Sequence, residues 1–66
     1  MKSTIERLEE KTNNLKKQIL NKYKDNKKLA KQLISGAELN ADYRYKDSEP
    51  MEKWYMYFVE ELDKRI

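Results

Sequence analysis

Residues 48–66, SEPMEKWYMYFVEELDKRI, hold the only Pro, the only Trp and the only Phe of the chain, with two of its five Tyr and two of its three Met. Met51, Trp54, Tyr55, Phe58, Val59, Leu62 and Ile66 recur at helical spacing, which is the pattern of an amphipathic helix with a broad apolar face. Ser48 or Glu49 offers an N-cap. Pro50 fits the first turn, where its missing N–H costs nothing. Glu49 and Lys53, Glu60 and Lys64, and Glu61 and Arg65 are i,i+4 pairs in the favourable order, each contributing about 0.2–0.5 kcal/mol. The spacing predicts a helix over about 49–65. A 66-residue chain with so little apolar material elsewhere must build its core on it.

Working outward, residues 1–35 contain neither Gly nor Pro. Ser3 followed by Glu6 is a capping-box pattern. Ile5, Leu8, Leu15, Ile19 and Tyr23 then form one helical stripe, with Thr12 in the place of an apolar residue. The segment NKYKDN at 21–26 is poor helix material, and Asp25 or Asn26 could cap a new helix. A single helix carried through it at 100° per residue returns Leu29, Ala30 and Leu33 to the same stripe. The reading is therefore one long helix over about 3–35, about 48 Å in length, with room for a bend at 21–26. The stripe allows a coiled coil, but Thr12, Lys22 and Asn26 are weak layers in it and do not assure a long stable one. Gly36 is placed as the C-terminal stop. Residues 36–47 read as a loop or short helix, with Tyr43 and Tyr45 folding back onto the helices. The expected fold is all-α, one small helical domain over 1–66, in which the C-terminal helix packs antiparallel on the long one as a helical hairpin. At about 25 Å the second helix is too short to cover the first. The stripe around Ile5 and Leu8 should therefore meet a partner protein or a second copy of the chain.

Composition narrows the chemistry. Charged residues make up 41% of the chain and apolar residues 38%, close to the border of disorder, and helical periodicity is what argues for folding. There is no Cys and no His, so disulfides, thiolate metal sites and the commonest general base are excluded. One Gly cannot make a phosphate-cradling loop. Ser3, Ser35 and Ser48 read as caps or stops with no base to activate them. No enzyme, cofactor, metal or small-molecule substrate is expected. No apolar run of membrane-spanning length and no signal peptide is seen, so a cytoplasmic protein is the default. The composition suits a mobile element of an AT-rich genome, which is an association without a mechanism.

Charge is polarised along the chain, +6 over residues 1–36 and −3 over residues 37–66. On a continuous helix Lys16, Lys17, Lys24, Lys27, Lys28 and Lys31 fall within about 120° of arc, opposite the apolar stripe. Such a face could contact phosphates of nucleic acid, but a solvated face of a lysine-rich helix accounts for it more simply. No Arg and no interleaved aromatic is present to read bases or stack on them. The run LAKQLISGAELNADYRY (29–45) begins like a helix-turn-helix and then departs from it, because Gly36 falls too late and Asn40 occupies a core position. The aromatic surplus of the last helix is the other signal. Trp54, Tyr55 and Phe58 suffice for a core, whereas Met56 and Tyr57, with Trp54 at the edge, look available to a partner. The sequence therefore points to a non-catalytic helical interaction protein, an adaptor or accessory subunit of a larger protein, plausibly a nucleic-acid-processing one. Its partner-binding candidates are Ile5, Leu8, Trp54, Met56 and Tyr57. The alternative is a small dimeric nucleic-acid-binding regulator using the Lys16–Lys31 face.

Overall fold

A computed structural model of the chain describes residues 3–46 and 51–66. The described residues form three helices and no strand: α1 (Thr4–Lys22), α2 (Lys27–Tyr45) and α3 (Glu52–Lys64). The all-α class expected from periodicity holds.

The long first helix is instead two. Ser3 caps α1 as anticipated, its hydroxyl accepting from the Glu6 N–H at 3.2 Å. Backbone bonds from Lys24 N–H to the Asn21 carbonyl and from Asn26 N–H to the Tyr23 carbonyl then close a tight turn. Asn26 starts α2, its side-chain oxygen accepting from the Leu29 N–H at 3.2 Å. Asn, Tyr and Asp are weak helix formers, and an Asn with its own acceptor offers the backbone a better alternative here. Ala30 and Leu33, placed in the stripe, do face the core, joined by Ala37 and Ala41, while Leu29, also expected there, is 37% exposed.

Gly36 does not end a helix; it lies inside α2, which runs on to Tyr45. Ala37, Glu38, Leu39 and Ala41 are good helix formers, and together they outweigh the cost of one interior Gly, about 1 kcal/mol. The stretch expected as a loop or short helix is therefore helical as far as Tyr45. The caps proposed at Ser48 and Glu49, and Pro50, lie outside the described residues, and α3 is described from Glu52.

The direction of each helix follows from its contacts. Glu9 meets Tyr55, Lys16 lies over Phe58, and Lys22 Nζ donates to the Ile66 carbonyl, so α1 runs parallel to α3. Asp42 meets Trp54, and Gly36 lies beside Arg65, so α2 runs antiparallel to α3. The chain reversal thus sits at 23–26 rather than at Gly36, and α3 occupies the angle between two helices. Each of those helices packs on α3 far more than on the other. The result is a flattened wedge of 37 × 29 × 14 Å.

The core consists of Leu15 and Ile19 from α1, three alanines from α2, and Phe58, Val59 and Leu62 from α3. The alanines let α2 approach α3 closely. Thr12 is buried without penalty, because its hydroxyl donates to the Leu8 carbonyl at 2.8 Å while its methyl packs inward. No described helix is long and apolar enough to cross a membrane.

Candidate protein-interaction site

The aromatic residues of α3 are held by specific partners. Trp54 packs edge-to-face on Phe58, centroids 5.0 Å apart, and on Tyr55 at 4.9 Å. Its indole N–H donates to Asp42 of α2 at 2.7 Å, a short bond to a charged acceptor. The Tyr55 hydroxyl donates to Glu9 of α1 at 3.0 Å. Burial, then that carboxylate, pushes the Tyr55 hydroxyl above its ordinary value. Tyr57 packs edge-to-face on Tyr45 at 5.7 Å and carries the Arg44 guanidinium over its ring at 5.2 Å. Trp54 and Tyr57, expected to lack intramolecular partners, therefore have them; the acceptor Asp42 and the rings and charges of α2 are what the sequence reading did not place. Of that trio only Met56 is largely exposed, at 55%. It borders a shallow groove together with Tyr45, Lys53, Tyr57 and Glu60.

Glu61 of α3 is buried and forms an ion pair with Arg65 at 2.7 Å. The Arg65 guanidinium, and then the Tyr57 hydroxyl, hold the Glu61 carboxyl below its ordinary range. The same Glu61 contact raises the Tyr57 hydroxyl. Arg65 also donates to the Glu61 carbonyl at 2.8 Å. No buried side-chain polar atom of the described residues lacks a partner.

A cleft of about 230 Å³ opens between α1, α2 and α3, lined on the α3 side by the half-buried Trp54 and Tyr55 and the buried Phe58. Glu9 and Lys16 border it from α1 and Glu38 from α2. The Lys16 ammonium lies 5.3 Å from the Phe58 ring centroid, within cation–π range.

The lysine candidates are dispersed by the helix break. Lys16 and Lys17 stay on α1, Lys16 turned toward Phe58, whereas Lys24 lies in the turn and Lys27, Lys28 and Lys31 in the first turns of α2. One continuous six-lysine face does not form. The last four, all exposed, gather around one end of the wedge, where the first turn of α2 carries no acidic residue.

Of the other partner candidates, Ile5 is half-buried and Leu8 packs against the core. The largest exposed apolar side chains lie elsewhere. Tyr43, expected to fold back, is 91% exposed, and Leu39 one turn before it is 66% exposed; both project from the outer face of α2. Their i,i+4 spacing is visible in the sequence, and the continuation of α2 through Gly36 to Tyr45 is what turns the pair outward, opposite Ala37 and Ala41. Among the described residues, no group of three or more acidic side chains gathers where a metal ion could be held. Comparison of the chain with protein-family models, curated proteins and solved structures gives no match.

Proposed function

We propose that the chain is a non-catalytic helical interaction protein, an adaptor or accessory subunit that binds a larger protein. The observation that carries this reading is the outward pair on α2, Leu39 at 66% and Tyr43 at 91% exposure. A domain this small buries only about 60% of the surface of its unfolded chain, so it has little apolar surface to spare. Nevertheless it holds an aromatic and a leucine one turn apart in water, opposite the face that closes its core. Met51, at the N-cap of α3, and Met56 within it add exposed apolar surface. Tyr and Met are enriched at protein interfaces, where a few large side chains supply most of the binding energy. The lack of His and Cys agrees with binding rather than chemistry.

A benzophenone amino acid placed at position 43 and irradiated in native host cells tests the idea. It should yield one adduct of defined mass, absent when the probe replaces the exposed Lys11. An adduct near twice 8.1 kDa identifies a homodimer, and a larger one a hetero-complex. The reading fails if position 43 gives no defined adduct, or the same ladder as position 11.

A second reading rests on the basic end of the wedge, where Lys24, Lys27, Lys28 and Lys31 crowd the positive pole of α2. There the chain would bind nucleic acid through phosphates, and affinity for duplex probes would fall steeply with salt. A macromolecule cross-linked at position 43 but indifferent to nucleic acid separates the two.

A further inference from the structure

The cleft between the three helices has the composition of a receptor for a cationic side chain. Its floor is aromatic: Phe58 is buried, and Trp54 meets it edge-to-face at 5.0 Å. The face of an aromatic ring is electronegative, and Trp is the strongest cation acceptor of the three. The rings are fixed in place before any guest arrives. Asp42 holds the Trp54 indole N–H at 2.7 Å, and Glu9 holds the Tyr55 hydroxyl at 3.0 Å. Such preorganisation lowers the entropic cost of binding. The walls are acidic, with Glu9 from α1 and Glu38 from α2. The site already holds a cation, since the Lys16 ammonium sits 5.3 Å from the Phe58 centroid. With Lys16 counted, the three charged side chains leave the cleft net negative.

Size and charge together select the guest. At about 230 Å³ the cleft is smaller than the pockets that hold whole cofactors or drug-sized ligands. It suits one long side chain. A lysine would reproduce what Lys16 does at Phe58. A guanidinium does more: it is planar and weakly hydrated, it stacks flat on a ring, and its forked N–H groups meet a carboxylate in the same plane. We propose that this cleft receives an arginine side chain of the partner protein, and that Lys16 is the resident cation which the arginine displaces. The proposal rests on the interaction reading above and assigns that interaction a pocket and a partner chemistry.

Because Trp54 is the only Trp, its indole N–H resonance and its fluorescence report this site alone. Blocked glycine pentapeptides with a central arginine, lysine or citrulline are titrated into the 66-residue chain. Citrulline keeps the shape of arginine and lacks its charge. The arginine peptide should shift the Trp54 signal saturably, the lysine peptide should bind more weakly, and the citrulline peptide should give no saturable shift. Lys16→Ala should tighten arginine binding and Glu38→Gln should weaken it, each by roughly three- to tenfold. Residue 38 is exposed, and thermal melts of both variants check that the fold persists. The proposal is overturned if arginine and citrulline behave alike, or if arginine gives no saturable shift in either the wild type or Lys16→Ala. Retention of the adduct at position 43 alongside either result would remove the arginine pocket and leave the interaction reading standing.

Discussion

Glu61 is the residue whose role was least visible in the chain. It appears there as half of an ordinary i,i+4 pair with Arg65, of the kind found on solvent-facing helix surfaces. In the fold it is only 7% exposed and accepts from Arg65 at 2.7 Å. A buried carboxylate in such a network makes stability depend on pH. Its carboxyl is held below the ordinary value of 4.5, first by Arg65 and then by Tyr57. The unfolded chain therefore takes up this proton more readily than the folded one. The pair's contribution is complete above 4.5 and fades as pH falls through the lower folded value. Tyr57 behaves oppositely. Its hydroxyl is raised above 10.0, chiefly by Glu61, so its contribution is complete below that pH and is lost as pH rises past the folded value. Glu61→Gln should therefore lower the melting midpoint more at neutral pH than well below pH 4.5. Circular-dichroism melts of variant and wild type at the two pH values measure the difference. An equal loss at both would mean that the Glu61 charge does not stabilise the fold.

At the scale of the element, the apolar stripes of α1 and α3 were legible because periodicity alone defines them. Leu15 and Ile19, and Phe58, Val59 and Leu62, are buried as their spacing requires. The division between α1 and α2 was not legible, because it turns on a contest between weak local preferences. Asn26 as an N-cap and the helix formers after Gly36 each contribute about 1 kcal/mol or less, and the packing of both helices against α3 decides the outcome. Reading Gly36 as a stop hid α2's second half and with it the outward Leu39–Tyr43 pair. The same limitation affected the candidate site: Asp42 and Glu38, which hold and border the aromatic residues of α3, lie in that unread half. Gly36 offers a direct check on the corrected assignment. A Cβ there meets nothing closer than the Arg65 Nη2 at 3.7 Å, an ordinary contact. If residue 36 is interior to a helix, Gly36→Ala should stabilise the protein by about 0.5–1 kcal/mol through the lower entropy of the unfolded chain. For a domain of this size that raises the melting midpoint by roughly 2–8 °C. A Gly at a helix stop in the left-handed conformation would respond in the opposite direction, so the sign of the shift distinguishes the two.

At the scale of the whole molecule, the helix rich in aromatics, α3, holds the other two helices together. α1 and α2 pack mainly on α3 and little on each other. Their inward residues, Leu15, Ile19 and the three alanines, have Phe58, Val59 and Leu62 as their common counterpart. A helix pair that meets at small residues and lacks that counterpart buries too little apolar surface to offset the entropy of ordering 19 residues on each side. A fragment of residues 1–46 should therefore be largely unfolded in water, with less than about half of its helical residues formed and no cooperative melt. Adding a peptide of residues 47–66 in excess should restore helicity and a sigmoidal transition, because the missing helix then returns by association rather than through the chain. Far-UV circular dichroism of the fragment, the peptide and their mixture measures all three. If the fragment alone melts cooperatively with the helix content of α1 and α2, the hairpin is self-sufficient and α3 is an added layer. In that case the apolar face of α3, and not only Leu39 and Tyr43 on α2, would be free to engage the partner.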